Sequence, residues 1–302
     1  MIVGCGYTGT YLARALLARG TTVWLTRRSL VDARRLSDQL LAEFPNAKVS
    51  SLDYDTTDPL TRCAPPGTAV ADKDIRAIVE KSENGRLSAR SVSWKHTVVV
   101  MSAPPGNHPA EEIAALPVSK KLVYLSSTGV YGRGHGAIVD ETWPTEPLSP
   151  TGIARLAAED ALRDRTEPTV ALRIAGIHGP GRGIIDRIKA GTYRIVGDGS
   201  AHVSRIHVED LVRAIIAAGD SDITGPINIA DDDPAPIGLV ADTIAKHLGV
   251  SLPVRTPVDQ VTPEVAAMLT ADRRISNARM KSLGVTLAYP SWRSMIETGT
   301  RV

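Results

Sequence analysis

The sequence predicts an α/β fold with a doubly wound parallel sheet and a smaller C-terminal lobe that caps it. Short β-branched runs alternate with helical stretches through the first two thirds of the 302 residues, as in a parallel sheet covered on both faces. Glycine and proline become frequent from His178 onward, which indicates a change of organisation. We expect a sheet domain over residues 1–177 and about 205–230, and a substrate-binding lobe over 178–204 and 231–302.

The same patterns place the individual elements. Strands are predicted at about 1–4, 22–27, 47–52, 97–103, 121–126 and 168–174, and helices at 11–19, 151–164 and 208–218. The long segment Pro59–His96 is interpreted as a surface insertion, because its later part is charged and weakly periodic. The connection Pro105–Ser119 is too brief for a full crossover helix, so we expect a short one there.

Composition excludes several classes of partner. The 35 basic and 33 acidic residues nearly cancel, so no overall field favours nucleic acid or a membrane surface. No apolar run approaches the roughly 20 residues that span a bilayer, and no signal peptide is expected before the first strand. The two cysteines, Cys5 and Cys63, suit a reducing compartment, which favours a cytoplasmic protein.

A glycine-rich turn follows the first predicted strand. Its sequence is Gly4-Cys5-Gly6-Tyr7-Thr8-Gly9, placed between an apolar strand and an amphipathic helix. In a dinucleotide motif the first glycine permits the turn, the second lets the pyrophosphate approach, and the third lets helix and strand touch. We therefore predict a Rossmann-type domain with dinucleotide contacts at Gly4, Gly6, Tyr7, Thr8 and Gly9. An ordinary strand-to-helix turn is the alternative.

The end of the second strand bears on the choice of cofactor. NAD-binding domains usually carry a carboxylate there for the ribose 2′-OH, but this strand runs into Thr26, Arg27 and Arg28. Guanidinium groups and hydroxyls suit a 2′-phosphate, which favours NADP over NAD. The alternative is a solvated basic helix start, since Arg34 and Arg35 follow closely.

Further segments carry a family resemblance when they are read with the glycine turn. They are Asp55-Thr56-Thr57-Asp58-Pro59, the run from Tyr124 to Gly132, the run from Leu172 to Arg182, and the run from Ser204 to Leu211. Together they resemble the atypical and extended short-chain dehydrogenase/reductase superfamily, specifically the NAD(P)-dependent epimerase/dehydratase group. The spacing of the first two glycines is similar to that of the atypical branch.

The resemblance implies further cofactor contacts. It places Asp55 on the adenine amino group, with Asp53 close enough to compete. It also places Ala103 and Pro104 beside the ribose at the end of the fourth strand, and Ile174 at the end of the sixth.

The resemblance also implies substrate contacts. Ser127 takes the place of the group's hydroxyl that holds the substrate oxygen, with Thr128 beside it. His178 joins the predicted substrate-binding residues, and Arg182 and Arg205 fall where relatives contact nucleotide-sugar phosphates. His207, by contrast, is interpreted as structural.

The chemical centre departs from the family. Relatives use a tyrosine and, four residues later, a lysine that lowers the phenol pKa, whereas this chain has Thr151 and Arg155 in those positions. A threonine hydroxyl is too weak an acid to replace a phenol, although Arg155 can still bind the nicotinamide ribose. Tyr131 is the candidate substitute acid and substrate contact, with packing in the pocket wall as its alternative.

Other groups were weighed for proton transfer and for metal binding. His135, Asp140 and Glu141 could deliver a proton directly or through water. The run Asp231-Asp232-Asp233 is interpreted as a solvated turn, because three adjacent carboxylates cannot all face one ion. We therefore predict no metal.

Two functions remain open at this point. One is an NADP-dependent oxidoreductase or epimerase-like enzyme that acts on a carbonyl or hydroxyl of a small substrate, nucleotide-linked or free. The other is a non-catalytic module that binds NADP(H) and reports it to a partner. The predicted short crossover helix removes a surface through which relatives dimerise, so a monomer, or a weak homodimer through another face, is expected.

Overall fold

The computed structural model describes residues 1–52 and 94–299. The predicted adenine contact Asp55, its competitor Asp53, and nearly all of the predicted insertion lie outside these residues.

Strands and helices alternate along the described chain. The strands are β1 (Ile2–Val3), β2 (Val23–Leu25), β3 (Val49–Ser51), β4 (Val98–Met101), β5 (Lys121–Ser127), β6 (Ile138–Val139), β7 (Thr169–Ile174), β8 (Gly176–His178), β9 (Arg194–Val196), β10 (His202–Val203), β11 (Arg205–His207), β12 (Gly225–Ile229), β13 (Ala235–Pro236), β14 (Val254–Thr256) and β15 (Arg274–Ile275). The helices are α1 (Tyr7–Ala18), α2 (Leu30–Glu43), α3 (Pro109–Ala114), α4 (Pro150–Ala161), α5 (Ile185–Lys189), α6 (Val208–Asp220), α7 (Ile237–Leu248), α8 (Pro263–Leu269), α9 (Ala278–Lys281) and α10 (Ser294–Gly299).

A seven-stranded sheet organises the fold, in the order β12-β7-β5-β4-β1-β2-β3. Ile2 of β1 pairs in parallel with Leu25 of β2 on one side and with Val100 of β4 on the other. The strand order reverses direction at β1, as in doubly wound folds. The predicted α/β class and Rossmann-type sheet are confirmed.

The local predictions agree with the described elements apart from their ends. Each of the predicted strands forms, and all but β5 are one to three residues shorter than expected. Helix α1 begins at Tyr7 rather than Tyr11, because the chain turns into the helix within the glycine motif itself. Helix α3 has 6 residues, so the expected short crossover helix is confirmed. None of the described helices is long and apolar enough to cross a bilayer.

One compact unit comprises Met1–Leu125, Ala157–Ala171 and Ala218–Gly225. Its core includes Trp24, whose ring meets that of Trp94 edge to face, 5.9 Å between centroids. Lys121 is buried there, and its Nζ donates to the carbonyls of Ala218, Ser221 and Ile223. This ammonium group therefore satisfies carbonyl groups at and just beyond the end of α6, where a positive charge also favours the helix dipole.

The second compact unit comprises Ser126–Leu156, Leu172–Ala217 and Pro226–Val302. It takes in the segment after β5, which we expected to group with the sheet domain. Val139 explains the difference, because it packs in one buried cluster with Ala230 and Ile275. A second cluster of this unit gathers around α7 and Trp292.

Candidate functional site

The glycine turn after β1 uses its three glycines in different ways. Gly4 has a φ of +74°, and a Cβ there would lie 2.5 Å from the Cβ of Ala103. At Gly6 the nearest atom to an added Cβ is 3.9 Å away, so the space beside it is open. At Gly9 a Cβ would lie 3.2 Å from the Sγ of Cys5, so glycine lets the helix approach the turn. These are the turn, the open approach and the close packing that a dinucleotide motif requires.

The N-terminus of α1 has the charge character of an anion site. Its N-cap, Gly6, has no side chain to satisfy the first N–H groups, and the first turn contains no acidic residue. Free N–H groups and the helix dipole attract a phosphate at such an end. Within that turn Thr8 is buried, while the half-buried ring of Tyr7 packs on that of Tyr11, 5.2 Å between centroids.

Thr26 and Arg27 support the turn from β2. The Oγ1 of Thr26 accepts a hydrogen bond from the N–H of Gly4 at 3.1 Å, and its carbonyl accepts from the N–H of Cys5 at 2.7 Å. The Nε of Arg27 donates to the carbonyl of Cys5 at 2.7 Å. Both predicted cofactor residues therefore hold the turn in shape, a role that the sequence did not reveal. The side chain of Arg28 is exposed.

The remaining predicted cofactor residues lie at strand ends. Ala103 and Pro104 follow β4, the former partly buried against the glycine turn and the latter exposed. Ile174 is buried at the last residue of β7. Each predicted position therefore follows or ends a strand, as the doubly wound fold requires.

The hydroxyl-bearing residues Ser127 and Thr128 lie in a tight turn at the end of β5. Ser127 caps the short 3₁₀ helix Thr128–Val130, and its Oγ accepts a hydrogen bond from the N–H of Gly129 at 3.0 Å. The carbonyl of Thr128 accepts from the guanidinium of Arg273 at 2.7 Å. The turn is thus fixed from both sides, and both hydroxyl-bearing side chains remain half-buried.

Thr151 and Arg155 lie on the first two turns of α4. Thr151 is exposed, and its hydroxyl shares a hydrogen bond of 3.1 Å with that of Ser149. Arg155 is half-buried. Between them, Gly152 permits a close approach, because a Cβ there would collide with the carbonyl oxygen of Gly129. The helix therefore brings the Thr151 region against the turn that Ser127 caps.

Tyr131 is enclosed in a polar network. It is fully buried, and its Oη donates to the Oδ1 of Asn228 at 2.7 Å while accepting from Arg173 at 3.0 Å. Burial raises the pKa of this phenol, although Arg173 opposes the shift. A buried phenol that already donates its proton to an amide is a poor proton source. Its position favours the packing interpretation over the roles of acid and substrate contact.

The nearby acid candidates are engaged as well. The Oε1 of Glu141 accepts a hydrogen bond from the N–H of Asn228 at 2.7 Å. Asp140 accepts from the N–H and hydroxyl of Thr142, which lowers the pKa of that carboxyl. His135 adopts a positive φ of 49°. The two carboxylates therefore help to stabilise the loop that carries them.

A cavity of about 180 Å³ opens within the second unit. Its walls are mostly aliphatic, and four of its lining residues have polar side chains: His178, Tyr193, Arg194 and Arg205. Arg194 is exposed and donates to the carbonyls of Gly191 and Tyr193. Tyr193 was not among the predicted site residues, since no motif or spacing marks it. The apolar lining includes Ile177, Ile184, Ile195, Val203, Ile237 and Met295.

Arg205 is a buried cation with few protein partners. Its exposed fraction is 6%, and within the described residues its guanidinium donates only to the carbonyl of Val203, at 3.0 Å. Burial lowers its pKa, and the charge of Asp231 opposes that shift. A guanidinium has five N–H donors, so most of the capacity of Arg205 remains for a ligand.

His178 is a buried neutral imidazole. Its exposed fraction is 4%, and its Nε2 has no hydrogen-bond partner among the described residues. Burial lowers its pKa to about 3, with the charges of His207 and Arg205 adding to the effect. His207 itself packs between the rings of His178 and Tyr289, which agrees with the structural role expected for it.

A second cavity of about 260 Å³ lies in the same unit and shares His178, Gly183 and Met295 with the first. The predicted substrate contact Arg182 lines it and is exposed. The structure thus places Arg182 and Arg205 at different cavities, with His178 common to both.

The aspartate run is not a solvated turn throughout, so that expectation was wrong. Asp231 is 1% exposed, and burial raises its pKa to about 8. Asp232 pairs with Lys281, and Asp233 pairs with Arg293. The three carboxylates serve different contacts. Within residues 1–52 and 94–299, no group of three or more His, Cys, Asp or Glu side chains could hold a metal ion.

The sequence matches one family model and is similar to two known proteins. Residues 96–230 match the model of the NAD dependent epimerase/dehydratase family. A 3-diazoavenalumate denitrifying reductase from Streptomyces sp is 30% identical over 166 residues, which are 51% of this chain and 53% of that reductase. The chain thus matches about half the length of this relative. A UDP-N-acetyl-alpha-D-glucosaminuronate decarboxylase from Bacillus cytotoxicus is 24% identical over 286 residues, 86% of this chain and 83% of the decarboxylase.

Solved structures share the fold over nearly the whole chain. A functionally unknown conserved protein from Silicibacter pomeroyi is 28% identical, with a TM-score of 0.70 over 98% of this chain and 95% of that one. A human epimerase family protein with NADPH is 18% identical, with a TM-score of 0.68 over 100% and 99%. UDP-glucuronic acid 4-epimerase from Bacillus cereus with NAD is 18% identical, with a TM-score of 0.68 over 98% and 95%.

Proposed function

Because residues 96–230 of this chain match the model of the NAD dependent epimerase/dehydratase family, we propose that the protein is a member of that family and a nicotinamide-dependent reductase of a small substrate. The observation that carries the proposal is the glycine turn, with open space beside Gly6 and uncapped N–H groups at the start of α1. A dinucleotide held there would supply the hydride. The N–H groups of the first helical turn would bind its phosphates.

The proposal favours NADP over NAD. The exposed Arg28 and the absence of a carboxylate among Thr26, Arg27 and Arg28 support a 2′-phosphate contact. The two solved relatives differ here, since the human protein is described with NADPH and the Bacillus cereus epimerase with NAD. Arg28 is the better candidate, because the Nε of Arg27 already donates to Cys5.

Cofactor binding is tested by titrating NADPH and NADH with three variants. Arg28→Gln should weaken NADPH about tenfold and leave NADH unchanged, since one charge-assisted bond is lost. Gly6→Ala should weaken both about tenfold or more, because its methyl group occupies the phosphate approach while meeting no protein atom closer than 3.9 Å. Arg34→Gln, an exposed arginine on α2, is the control. Equal affinities in Gly6→Ala and the unmodified protein would overturn the cofactor site.

The proton source determines the substrate class. Thr151 and Arg155 replace the acid pair of the family, and the phenol of Tyr131 is already bonded to Asn228. Ordinary carbonyl reduction needs a proton donor, because it otherwise leaves an alkoxide. We propose a substrate that accepts hydride and loses a leaving group instead. The name of the Streptomyces relative pairs a diazo substrate with denitrifying reduction, which supports this class.

The proposed reaction is balanced without an acid. A bound reduced nicotinamide would supply a hydride to the aromatic carbon that bears a diazonium group, so that a C–H bond replaces the C–N bond and the C–N bonding pair leaves with N₂. The hydroxyl proton of Ser127 has no acceptor among the described residues, since its Oγ only accepts from Gly129. Ser127 can therefore donate to a substrate oxygen and orient the ring, and Arg155 would hold the ribose of the cofactor.

Turnover is tested with NADPH and two matched substrates, 4-diazobenzoate and 4-carboxybenzaldehyde, against a blank without protein. We expect NADPH oxidation with equimolar N₂ release, and aldehyde reduction slower by about a hundredfold or more, as for a missing acid. The double variant Thr151→Tyr/Arg155→Lys should raise the rate of aldehyde reduction relative to that of N₂ release. Faster reduction of the aldehyde by the unmodified protein would contradict the proposal. Cofactor binding without either turnover would support the non-catalytic alternative.

A further inference from the structure

The cavity within the second unit brings together three polar side chains that have few or no hydrogen-bond partners among the described residues. Arg205 is 6% exposed and donates only to Val203 among the described residues. The Nε2 of His178 has no partner there, and no hydrogen bond to a described residue involves the hydroxyl of Tyr193. Buried polar groups are normally satisfied, so the unpartnered Nε2 of His178 and the remaining N–H donors of Arg205 indicate a ligand in the cavity. The half-buried Tyr193 lines the same cavity and can add its hydroxyl.

We propose that this cavity binds the carboxylate of a small single-ring organic acid through Arg205, Tyr193 and His178. A carboxylate has two oxygens and about four lone-pair sites. It can accept a bidentate pair from the guanidinium and one bond each from the phenol and the imidazole N–H. Each of the three groups then gains an acceptor, which neither an amide nor an alcohol could supply as fully.

The charge of the cavity supports an anion. Asp231 and Asp233 are the carboxyl groups whose charges act on Arg205. Burial raises the pKa of Asp231 to about 8, and Asp233 is paired with Arg293. His178 is neutral, because its pKa is lowered to about 3. These two carboxyl groups therefore compensate the positive charge of Arg205 only in part. A buried cation without full compensation is costly, and a bound carboxylate lowers that cost.

The size and walls of the cavity support a single apolar ring. Its volume is about 180 Å³, close to the roughly 150 Å³ of an apolar cavity that holds benzene. Ligand pockets for larger molecules span about 300–1,000 Å³. Aliphatic side chains such as Ile177, Ile195 and Ile237 line the rest of the surface. A nucleoside diphosphate sugar needs more room than this cavity alone provides.

This inference deepens the proposed function. The identification of the bound acid as the substrate rests on that proposed function. Binding is measured separately from turnover, so the two can fail separately. If benzoate binds but NADPH is never oxidised, the proposed reaction is wrong and the acid site stands. If diazo reduction proceeds without competition from benzoate, the reaction stands and the acid site is wrong.

The test is calorimetry of the full chain with benzoate, neutral benzamide and UDP. Benzoate should bind about tenfold or more tightly than benzamide. Arg205→Gln should abolish benzoate binding, and Tyr193→Phe, which removes one hydroxyl and keeps the packing, should weaken it about fivefold to tenfold. The affinity for benzamide should stay the same in both variants. The control is Arg163→Gln, at an exposed arginine on the short 3₁₀ turn after α4, and it should bind benzoate as tightly as the unmodified protein.

Three results would overturn the inference. They are equal binding of benzoate and benzamide, unchanged benzoate binding in Tyr193→Phe, and binding of UDP with none of benzoate at millimolar concentration. The last result would assign the cavity to a nucleotide. Because Tyr193→Phe is a near-isosteric change, it keeps the test decisive even if the Arg205 variant does not fold.

Discussion

Gly4 shows how a single residue supports the candidate cofactor site. Its positive φ of +74° is shared by Gly20, whose φ is +73°, but the two differ in their surroundings. An added Cβ at Gly4 would lie 2.5 Å from Ala103, whereas at Gly20 it would meet nothing within 4 Å. The left-handed backbone conformation costs a non-glycine residue about 1–2 kcal/mol, and steric overlap adds to that at Gly4 alone.

The pair of variants separates these two costs. Gly20→Ala should lower the free energy of unfolding by about 1–2 kcal/mol. Gly4→Ala should lower it by about 1–3 kcal/mol more, because a packed neighbour must move. Urea unfolding followed by far-UV circular dichroism measures both, and equal losses would show that the Ala103 contact carries no cost.

His178 makes a prediction about acid stability. Its folded pKa of about 3 lies below its ordinary value of 6.5 because the imidazole is buried near His207 and Arg205. The depressed pKa means that the stabilising effect is complete above pH 6.5 and is lost as the pH falls toward 3. At about pH 5 the free energy of unfolding should be lower by about 2 kcal/mol on account of this residue.

His178→Gln is the variant that isolates this effect. Its unfolding free energy, measured in urea from neutral pH to about pH 5, should fall less steeply than that of the unmodified protein. The control is His108→Gln, which removes an exposed imidazole beside Glu111. The same pH slope in His178→Gln and the unmodified protein would contradict the prediction.

At the scale of elements, Arg165 compensates for the shortness of α3. The buried guanidinium donates to the carbonyls of Ile113, Leu116 and Pro117, around the end of the 6-residue helix, and pairs with Glu167. Carbonyls at a helix end need such partners. Arg165 therefore satisfies carbonyl groups that the N–H groups of a longer helix would otherwise satisfy.

Removing this arginine should be costly. Arg165→Met should lower the free energy of unfolding by about 3–5 kcal/mol, because it leaves Glu167 as a buried, uncompensated charge. The double variant Arg165→Met/Glu167→Gln should recover part of the loss. Arg163→Gln, which removes an exposed ion pair with Asp160, should cost less than about 1 kcal/mol. If thermal unfolding shows the same loss of stability in Arg165→Met as in Arg163→Gln, this role of Arg165 is refuted.

At the scale of the whole molecule, the short α3 leads to a prediction about assembly. Helix α3 has only 6 residues. The family resemblance implies a dimer surface that includes a longer helix at this position. We therefore predict a monomer, or a weak dimer through another face. Light scattering coupled to size exclusion should give the mass of one chain at micromolar concentration. A stable dimer that changes in α4 dissociate would show that the short connection does not prevent this mode of pairing.

Sequence patterns determined the features that depend on neighbours along the chain. Alternation of β-branched runs and helical stretches predicted the parallel sheet, and the glycine spacing predicted the turn from the first strand into the first helix, because both depend on local backbone geometry. The length of the segment before β5 predicted a short α3. The family resemblance placed Thr151 and Arg155 at the positions of the family's acid pair, and that assignment stays a prediction.

Only the tertiary structure decided which polar groups are buried and what they meet. The sequence made Tyr131 a candidate acid. In the structure its hydroxyl donates a hydrogen bond to Asn228, which is 97 residues away in sequence. Asp231 was expected in solvent and is buried, and Tyr193 had no signal until the fold placed it beside Arg205. Burial and partners depend on contacts between distant segments, and these long-range contacts set both the pKa of a group and its freedom to bind a ligand.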